Sequence, residues 1–328
     1  MQKILVTGAD GFLGSHVVWQ ALARGYAVRA FIQPGRNTGT LDGLPVERFY
    51  ADLTEPGKIF KALEDCDYVI HTAGTTAVWP SRSEQTWQIN YEVVVELAKA
   101  ITKQKIKRFV HIGSASSFGY GTSAEPGTEE SPYIGGQFKL DYLDSKKAAM
   151  DYLQAQYQQN SLPVIILAPT FMIGEYDSKP GSGKMILAVS KRKLPGYSEG
   201  GKCIVYTGDV ACAALNALTM GRLGQCYITG GENLTYQAFF KLIAEIAQVR
   251  PLRTKIAPSV AVLFGGLLES VATVSHREPM LSAGMARMAK DGHYYNSQKA
   301  ITELRMPQTS AREAIERAII YFKEIGYL

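Results

Sequence analysis

The apolar run Ile4-Leu5-Val6 leads straight into Thr7-Gly8-Ala9-Asp10-Gly11-Phe12-Leu13-Gly14, and a helix-like stretch from Ser15 to Arg24 follows. Strand, glycine turn and helix in that order constrain the fold more than any other feature of the chain. A helix N-terminus presents unpaired N–H groups and a positive dipole end, which suits a phosphate. Gly8 suits the tight turn, Gly11 a close backbone approach to a pyrophosphate, and Gly14 close packing of helix on strand. The spacing is G-x-x-G-x-x-G rather than G-x-G-x-x-G. An ordinary strand-to-helix turn is the alternative, but the strand directly before the glycines favours a bound dinucleotide.

The 328 residues suffice for one α/β domain with a smaller appended one. Hydrophobic content of 46% and charged content of 20% mark a globular chain. A net charge of +5, with Lys191-Arg192-Lys193 as its densest basic cluster, does not indicate nucleic-acid binding. It suits an anionic cofactor. The four cysteines (Cys66, Cys203, Cys212, Cys226) form no C-x-x-C pair, and no Cys/His cluster has zinc spacing. No metal site is therefore expected, and a reducing cytoplasm fits. The N-terminus has no signal-peptide pattern. Val260 to Leu268, the best apolar stretch, stops at Glu269 and is too short to span a bilayer. It reads as a helix lining a pocket or core, with a peripheral membrane contact left open.

Short apolar runs alternate with helix-patterned segments through the first half. Ile4–Val6, Ala27–Ile32, Val46–Tyr50, Tyr68–His71, Phe109–Ile112 and Val164–Leu167 read as strands. Pro56–Leu63, Gln88–Gln104 and Leu140–Gln159 read as helices. Strands this short and continuously apolar belong in a parallel sheet covered on both faces. The alternation predicts a doubly wound fold with ligand at the carboxyl ends of the strands. The second half is less regular, with helices expected over Tyr236–Gln248, N-capped by Thr235, and near Ala311–Ile325. The expected division is a Rossmann-type dinucleotide-binding domain over residues 1–170, with a segment returning to it near 203–228. A smaller α/β substrate-binding cap would comprise 171–202 and 229–328.

A second site is written in Tyr142-Leu143-Asp144-Ser145-Lys146, which puts a phenol and an ammonium at i and i+4 on one helix face. Gly113-Ser114-Ala115-Ser116-Ser117 follows the strand Phe109–Ile112, so a serine and a tyrosine can both point at one substrate oxygen. Reducing a carbonyl creates an alkoxide that needs a proton. A free phenol has a pKa of ~10, and a neighbouring ammonium is expected to lower it by roughly 1–3 units. That tuning suits general acid–base catalysis, while a serine hydroxyl holds the carbonyl oxygen.

With these motifs in place, the sequence resembles the extended short-chain dehydrogenases/reductases of the NAD-dependent epimerase/dehydratase superfamily. The matching elements are the glycine turn, Asp52-Leu53, His71-Thr72-Ala73-Gly74, Ser114, Tyr142/Lys146, Ala168-Pro169-Thr170, Asp209-Val210, Arg277-Glu278-Pro279 and Asn296 to Ala300. It looks most like the dihydroflavonol 4-reductase-like and 3β-hydroxysteroid dehydrogenase-like branch. Gly181–Leu187, Leu194–Tyr197 and Gly230–Thr235 are also similar to bacterial hopanoid-associated sugar epimerases.

The resemblance implies Tyr142 as general acid/base, Lys146 as binder of the nicotinamide ribose, Ser114 as the catalytic hydroxyl and Asn90 as the residue orienting the lysine through water. Ser116 and Ser117 are assigned to pocket or packing, and His71 to strand-end packing. Gly8, Gly11, Phe12, Leu13, Gly14, Asp52, Leu53, Ala73, Gly74, Tyr142, Lys146 and Pro169 would contact the cofactor, with Asp52 at the adenine. A homodimer built from the Gln88–Gln104 and Leu140–Gln159 helices is implied in the same way.

Two departures narrow the reading. The stretch after the second strand, Gln33-Pro34-Gly35-Arg36-Asn37, has no acid for a ribose diol. Arg36 can pair with a 2′-phosphate, so NADP is favoured, with NAD possible. Epimerases of the family clamp the substrate diphosphate with an Arg before Asp209-Val210. Here Lys202 occupies that stretch and lacks the planar guanidinium fork. The expectation is an NADP(H)-dependent oxidoreductase acting on a small carbonyl or alcohol of moderately apolar character. Phe171-Met172-Ile173, Tyr197 and Val260–Leu268 are candidates to line its pocket. A nucleotide-sugar epimerase/dehydratase ranks second. A non-catalytic dinucleotide-binding sensor or scaffold ranks third, because the chain keeps both tyrosine and lysine.

Overall fold

The computed structural model describes residues 1–275 and 282–328. The Arg277-Glu278-Pro279 motif lies outside the described residues. In chain order the first half runs β1 (Lys3–Thr7), α1 (Phe12–Ala23), β2 (Ala27–Ile32), β3 (Glu47–Tyr50), α2 (Lys58–Ala62), β4 (Tyr68–His71), α3 (Glu84–Trp87), α4 (Val93–Gln104), β5 (Arg108–Ile112), α5 (Asp141–Asn160) and β6 (Val164–Pro169). The second half runs β7 (Phe171–Ile173), α6 (Lys184–Ser190), β8 (Gly201–Tyr206), α7 (Thr207–Asn216), β9 (Cys226–Thr229), β10 (Glu232–Thr235), α8 (Tyr236–Ile246), α9 (Pro258–Ser275), α10 (Ala283–Met288), β11 (Gly292–His293), α11 (Gln298–Glu303) and α12 (Ala311–Glu324).

Seven parallel strands form the main sheet in the order β3-β2-β1-β4-β5-β6-β9. The order reverses between β1 and β4. Loops leaving those two strands part to opposite sides there, and a crevice opens at their carboxyl ends. The central strands β1, β4, β5 and β6 are apolar on both faces because helices cover both. Val17, Val18 and Ala214 lie in the core cluster on one side; Leu97, Ile101 and Leu153 lie in that on the other. Edge strand β3 is the exception, with charged Glu47 and Arg48 where only one neighbour pairs.

A second sheet is built on β8, which pairs antiparallel with β10 and parallel with β7 and β11. This alters the expected returning segment. Residues 201–206 belong to the small sheet, and the chain returns to the large one only with α7 and β9. The reason is that β8 is apolar on both faces. Cys203 and Val205 face the two cores of the large sheet, while Ile204 faces a third core with Phe239, Ile315 and Phe322 from α8 and α12. Thr235 caps α8, accepting from the Ala238 amide at 3.1 Å as expected.

Two helical expectations need correction. The helix read as Gln88–Gln104 begins at Glu84, capped by Ser83, and passes through a π-helical turn at Gln88–Glu92. Asn90 is therefore inside a helical segment rather than at its start. Such turns insert one extra residue and re-aim a side chain, and Asn90 is buried as a result. The Val260–Leu268 stretch does not line the core. Small residues of α9, Ala261, Gly265 and Ala272, face inward, and Val260, Leu263, Phe264 and Leu267 face water.

Candidate active site

The site is assembled at the carboxyl ends of β1, β2, β4 and β5. Gly8 ends β1 with φ +67°, a conformation that side chains resist, and its carbonyl accepts the Gly11 amide at 2.9 Å. A Cβ on Gly8 would stand 2.9 Å from the Ala73 nitrogen, so the β1 and β4 turns are in direct contact. The Gly8 carbonyl also packs directly against Gly14. Helix α1 starts at Phe12 with no side-chain cap on its first turn. The amides around Phe12, Leu13 and Gly14 are thus free of any capping side chain, an arrangement that fits a pyrophosphate.

Beyond β2 and β3, Gln33 joins two predicted site residues. Its amide nitrogen donates to Asp52 Oδ2 at 2.8 Å, and Arg36 Nε donates to its carbonyl at 3.0 Å. The Thr54 amide and hydroxyl, with Gln33, hold the Asp52 carboxyl below its usual range. Arg36 is exposed and keeps its two terminal NH₂ groups available. Spacing alone assigns Gln33 no role beyond that of a non-acidic residue after the second strand. Its bridging role arises from two strand ends lying side by side. Leu53 packs against the core below Asp52, and Pro169 is buried at the end of β6, in register with Thr229.

Helix α5 and strand β5 carry the candidate catalytic groups. Tyr142 donates to Ser114 Oγ at 3.3 Å. Ser114 Oγ and Ser116 Oγ lie 2.6 Å apart, so Ser116 belongs to the hydroxyl cluster and not to packing alone. Only the short helical turn Ala115–Ser117, capped by Ser114, turns Ser116 back in this way. Lys146 is buried, and its ammonium donates to the Ile112 carbonyl at 3.1 Å. A Cβ on Gly74 would stand 3.1 Å from Lys146 Nζ and 3.2 Å from Asn90 Oδ1, so the three residues converge. Asn90 accepts from the Thr75 amide at 2.9 Å and donates to the Thr75 carbonyl and Ser145 Oγ. Its direct role is thus to pin the β4 loop.

The electrostatics revise one expectation. Burial pushes the Tyr142 phenol above its usual value, against the opposing hydrogen bonds to Ser114 and Ser116. Burial also pushes the Lys146 ammonium down, to about 8. In the chain by itself, Lys146 therefore does not produce the expected lowering of Tyr142, because desolvation of both groups dominates. The result is a neutral phenol, a proton donor, beside a serine pair.

A model of the NAD dependent epimerase/dehydratase family matches residues 4–227. The chain belongs to that family. It is 28% identical to sterol demethylase protein B of Methylococcus capsulatus over 99% of both chains. It is 29% identical to dihydroflavonol 4-reductase of Arabidopsis thaliana over 58% of this chain and 54% of that one. Among solved structures, gox2253 superposes with TM-score 0.87 at 29% identity over the whole of both chains. A nucleoside-diphosphate-sugar epimerase from Pseudomonas aeruginosa gives 0.81 at 25% identity, covering 100% of this chain and 99% of that one. The protein is an extended short-chain dehydrogenase/reductase enzyme, an NAD(P)-dependent oxidoreductase with a Rossmann-like parallel sheet.

Two further observations bear on the family site. Lys202, on β8 beside His293, carries an ammonium that burial pushes down to about 8, with no ion pair to an acid among the described residues. His71 is buried as expected, with Nδ1 2.7 Å from Thr7 Oγ1, and its ring stacks on His111 at 5.4 Å between centroids. Among the described residues no group of His, Cys, Asp or Glu could hold a metal ion, and no helix is long and apolar enough to cross a membrane.

Proposed function

We propose that the protein is an NADP(H)-dependent reductase of a ketone or aldehyde on a moderately apolar small metabolite. The observation that carries this reading is the half-buried Tyr142 hydroxyl held 3.3 Å from Ser114 Oγ. The amides of Phe12, Leu13 and Gly14 would hold the pyrophosphate, Asp52 the adenine end, Arg36 a 2′-phosphate, and Lys146 the nicotinamide ribose. The bound dinucleotide supplies the hydride. Ser114, supported by Ser116, holds the carbonyl oxygen, and Tyr142 delivers the proton from its Oη as negative charge develops there. Lys146, fixed by the Ile112 carbonyl, would bind the nicotinamide ribose and keep the helix that carries Tyr142 tied to β5.

The relatives' names, a sterol demethylase protein and a dihydroflavonol reductase, accord with a carbonyl or alcohol on an apolar ring system. Homodimerisation through the Gln88–Gln104 and Leu140–Gln159 helices, which lie side by side with Tyr91 and Tyr152 edge to edge at 6.2 Å, is part of the same proposal. The test is titration of cofactor-stripped protein with NADPH and NADH, followed by turnover on a carbonyl panel. Exchangeable binding with NADPH clearly tighter supports the reductase. A second reading, transient oxidation of a nucleotide sugar, is favoured by the epimerase neighbour and by the Lys202 ammonium, which has no acidic partner among the described residues. Co-purified NAD that resists exchange would support it instead.

A further inference from the structure

Helix α9 has an inverted pattern. Val260, Leu263, Phe264 and Leu267 recur at helical spacing on one face and are 57%, 69%, 52% and 61% exposed. The inward face uses Ala261, Gly265 and Ala272, so the helix sits close to its neighbour α10 while its large apolar side chains meet water. A contiguous exposed apolar stripe of this kind marks an interaction surface rather than a scattered surface leucine.

The segment that leads into α9, and the loop paired with it, are basic. Arg250, Arg253 and Lys255 lie in the segment that feeds α9 and are exposed. Lys191, Arg192 and Lys193, also exposed, lie in the loop whose continuation runs alongside: Tyr197 donates to the Thr254 carbonyl at 3.0 Å and accepts from Ile256 at 2.9 Å. Lys255 is paired with Glu199. The other five cations have no acidic partner among the described residues. The one acid on the apolar half of α9, Glu269, is half-buried and lies off the exposed stripe.

We propose that this face of α9, with its basic border, docks the protein on an anionic lipid bilayer. Apolar side chains on one helix face with lysine and arginine beside them are the composition that lies in a lipid interface. The cations would sit at the level of anionic headgroups. A second copy of this chain fits less well. A two-fold contact through the stripe would set the five unpaired cations of each copy close to those of the other. Four side chains also cover on the order of a few hundred Å², below the ~800 Å² per partner of a stable dimer. The docked helix is near the chemistry: α9 packs on α10, and a Cβ on Gly284 of α10 would stand 3.8 Å from Leu140, the residue that opens the Tyr142 helix. An apolar substrate dissolved in the bilayer would then be presented beside the site, whichever carbonyl it carries.

Co-sedimentation of the full chain with vesicles of phosphatidylcholine, with and without phosphatidylglycerol, tests this. The wild type is expected to bind phosphatidylglycerol vesicles and to be released by salt. Leu263→Gln with Phe264→Ser should reduce binding roughly tenfold, and Lys191→Glu or Arg253→Glu should each cost roughly fivefold or more. Cofactor titration of each variant should be unchanged, which shows that it is folded. Absence of vesicle binding by the wild type would overturn the proposal. So would binding that ignores the Leu263/Phe264 change, because charge alone would then account for it. A lipid-free dimer that the same change dissolves would assign the face to a second copy instead.

Discussion

Tyr142 Oη and Ser114 Oγ stand 3.3 Å apart although they belong to different elements, the first turn of α5 and the end of β5. One turn further along α5, the Lys146 ammonium reaches the Ile112 carbonyl at 3.1 Å and ties the helix to the same strand. Two contacts on one helix face therefore set the distance on which the proposed proton delivery depends. Tyr142→Phe removes the donor and leaves the phosphate cradle intact. Reductive kcat should fall about 10²–10⁴-fold while cofactor affinity, read by calorimetry, changes little. Turnover within a few-fold of wild type would remove Tyr142 from the mechanism.

Ser116 changes what a serine substitution should show. Its hydroxyl is 2.6 Å from Ser114 Oγ and can relay a hydrogen bond toward the same oxygen. Ser114→Ala alone should then lose less than the roughly 10²–10³-fold expected for removing an oxyanion donor. The Ser114→Ala/Ser116→Ala pair should lose the full amount. Equal rates for single and double variants would show that Ser116 is only a packing residue.

Arg36 and Asp52 meet across Gln33, so positive and negative groups share one strand-end surface. Arg36→Ala should weaken NADPH roughly tenfold or more, the worth of a charged hydrogen bond, and NADH much less. Calorimetric titration of both cofactors decides it. A matching loss for the two would exclude Arg36 as the 2′-phosphate ligand.

Burial of Lys146 carries a stability cost. Its folded value, about 8 against the ordinary 10.5, means the charged form is disfavoured by burial. The difference corresponds to at most roughly 3–4 kcal/mol. Between pH 8 and 10.5 the unfolded chain binds more protons at this site, so wild-type stability rises with pH there. Lys146→Met should therefore be more stable than wild type below pH 8. That advantage should shrink toward pH 10.5, and activity should be lost throughout. Urea unfolding across this range reads it, and a variant less stable at neutral pH would refute it.

The stacked pair His71 and His111 works in the opposite pH range. Burial holds His71 near 3 and His111 well below the ordinary 6.5, and neither His111 nitrogen has a hydrogen-bond partner among the described residues. Below 6.5 the unfolded chain protonates first, so stability falls as pH falls, by about 1.4 kcal/mol per pH unit for each ring. His111→Phe should halve the pair's contribution to that slope without loss at neutral pH, since no hydrogen bond is given up. Unfolding midpoints at about pH 7 and about pH 5 test this. An unchanged slope would mean that His111 is already protonated in the fold.

The sequence by itself determined the Rossmann-like sheet, because continuously apolar strands of four to six residues alternating with helices have few other ways to be covered. It also placed the glycine turn, Ser114, Tyr142 and Lys146 on the correct elements, since one strand end and one i, i+4 spacing suffice for that. Tertiary structure decided what depends on neighbours remote in the chain. The π-helical turn that buries Asn90, the Gln33 bridge from Arg36 to Asp52, and the hydroxyl pair of Ser114 and Ser116 each depend on local backbone or on partners that spacing does not encode. The direction of the Tyr142 shift likewise follows from burial, a property of the packed molecule. Helix α9 shows the limit most clearly: its apolar composition was legible, but which face meets protein depends on the neighbour it packs against.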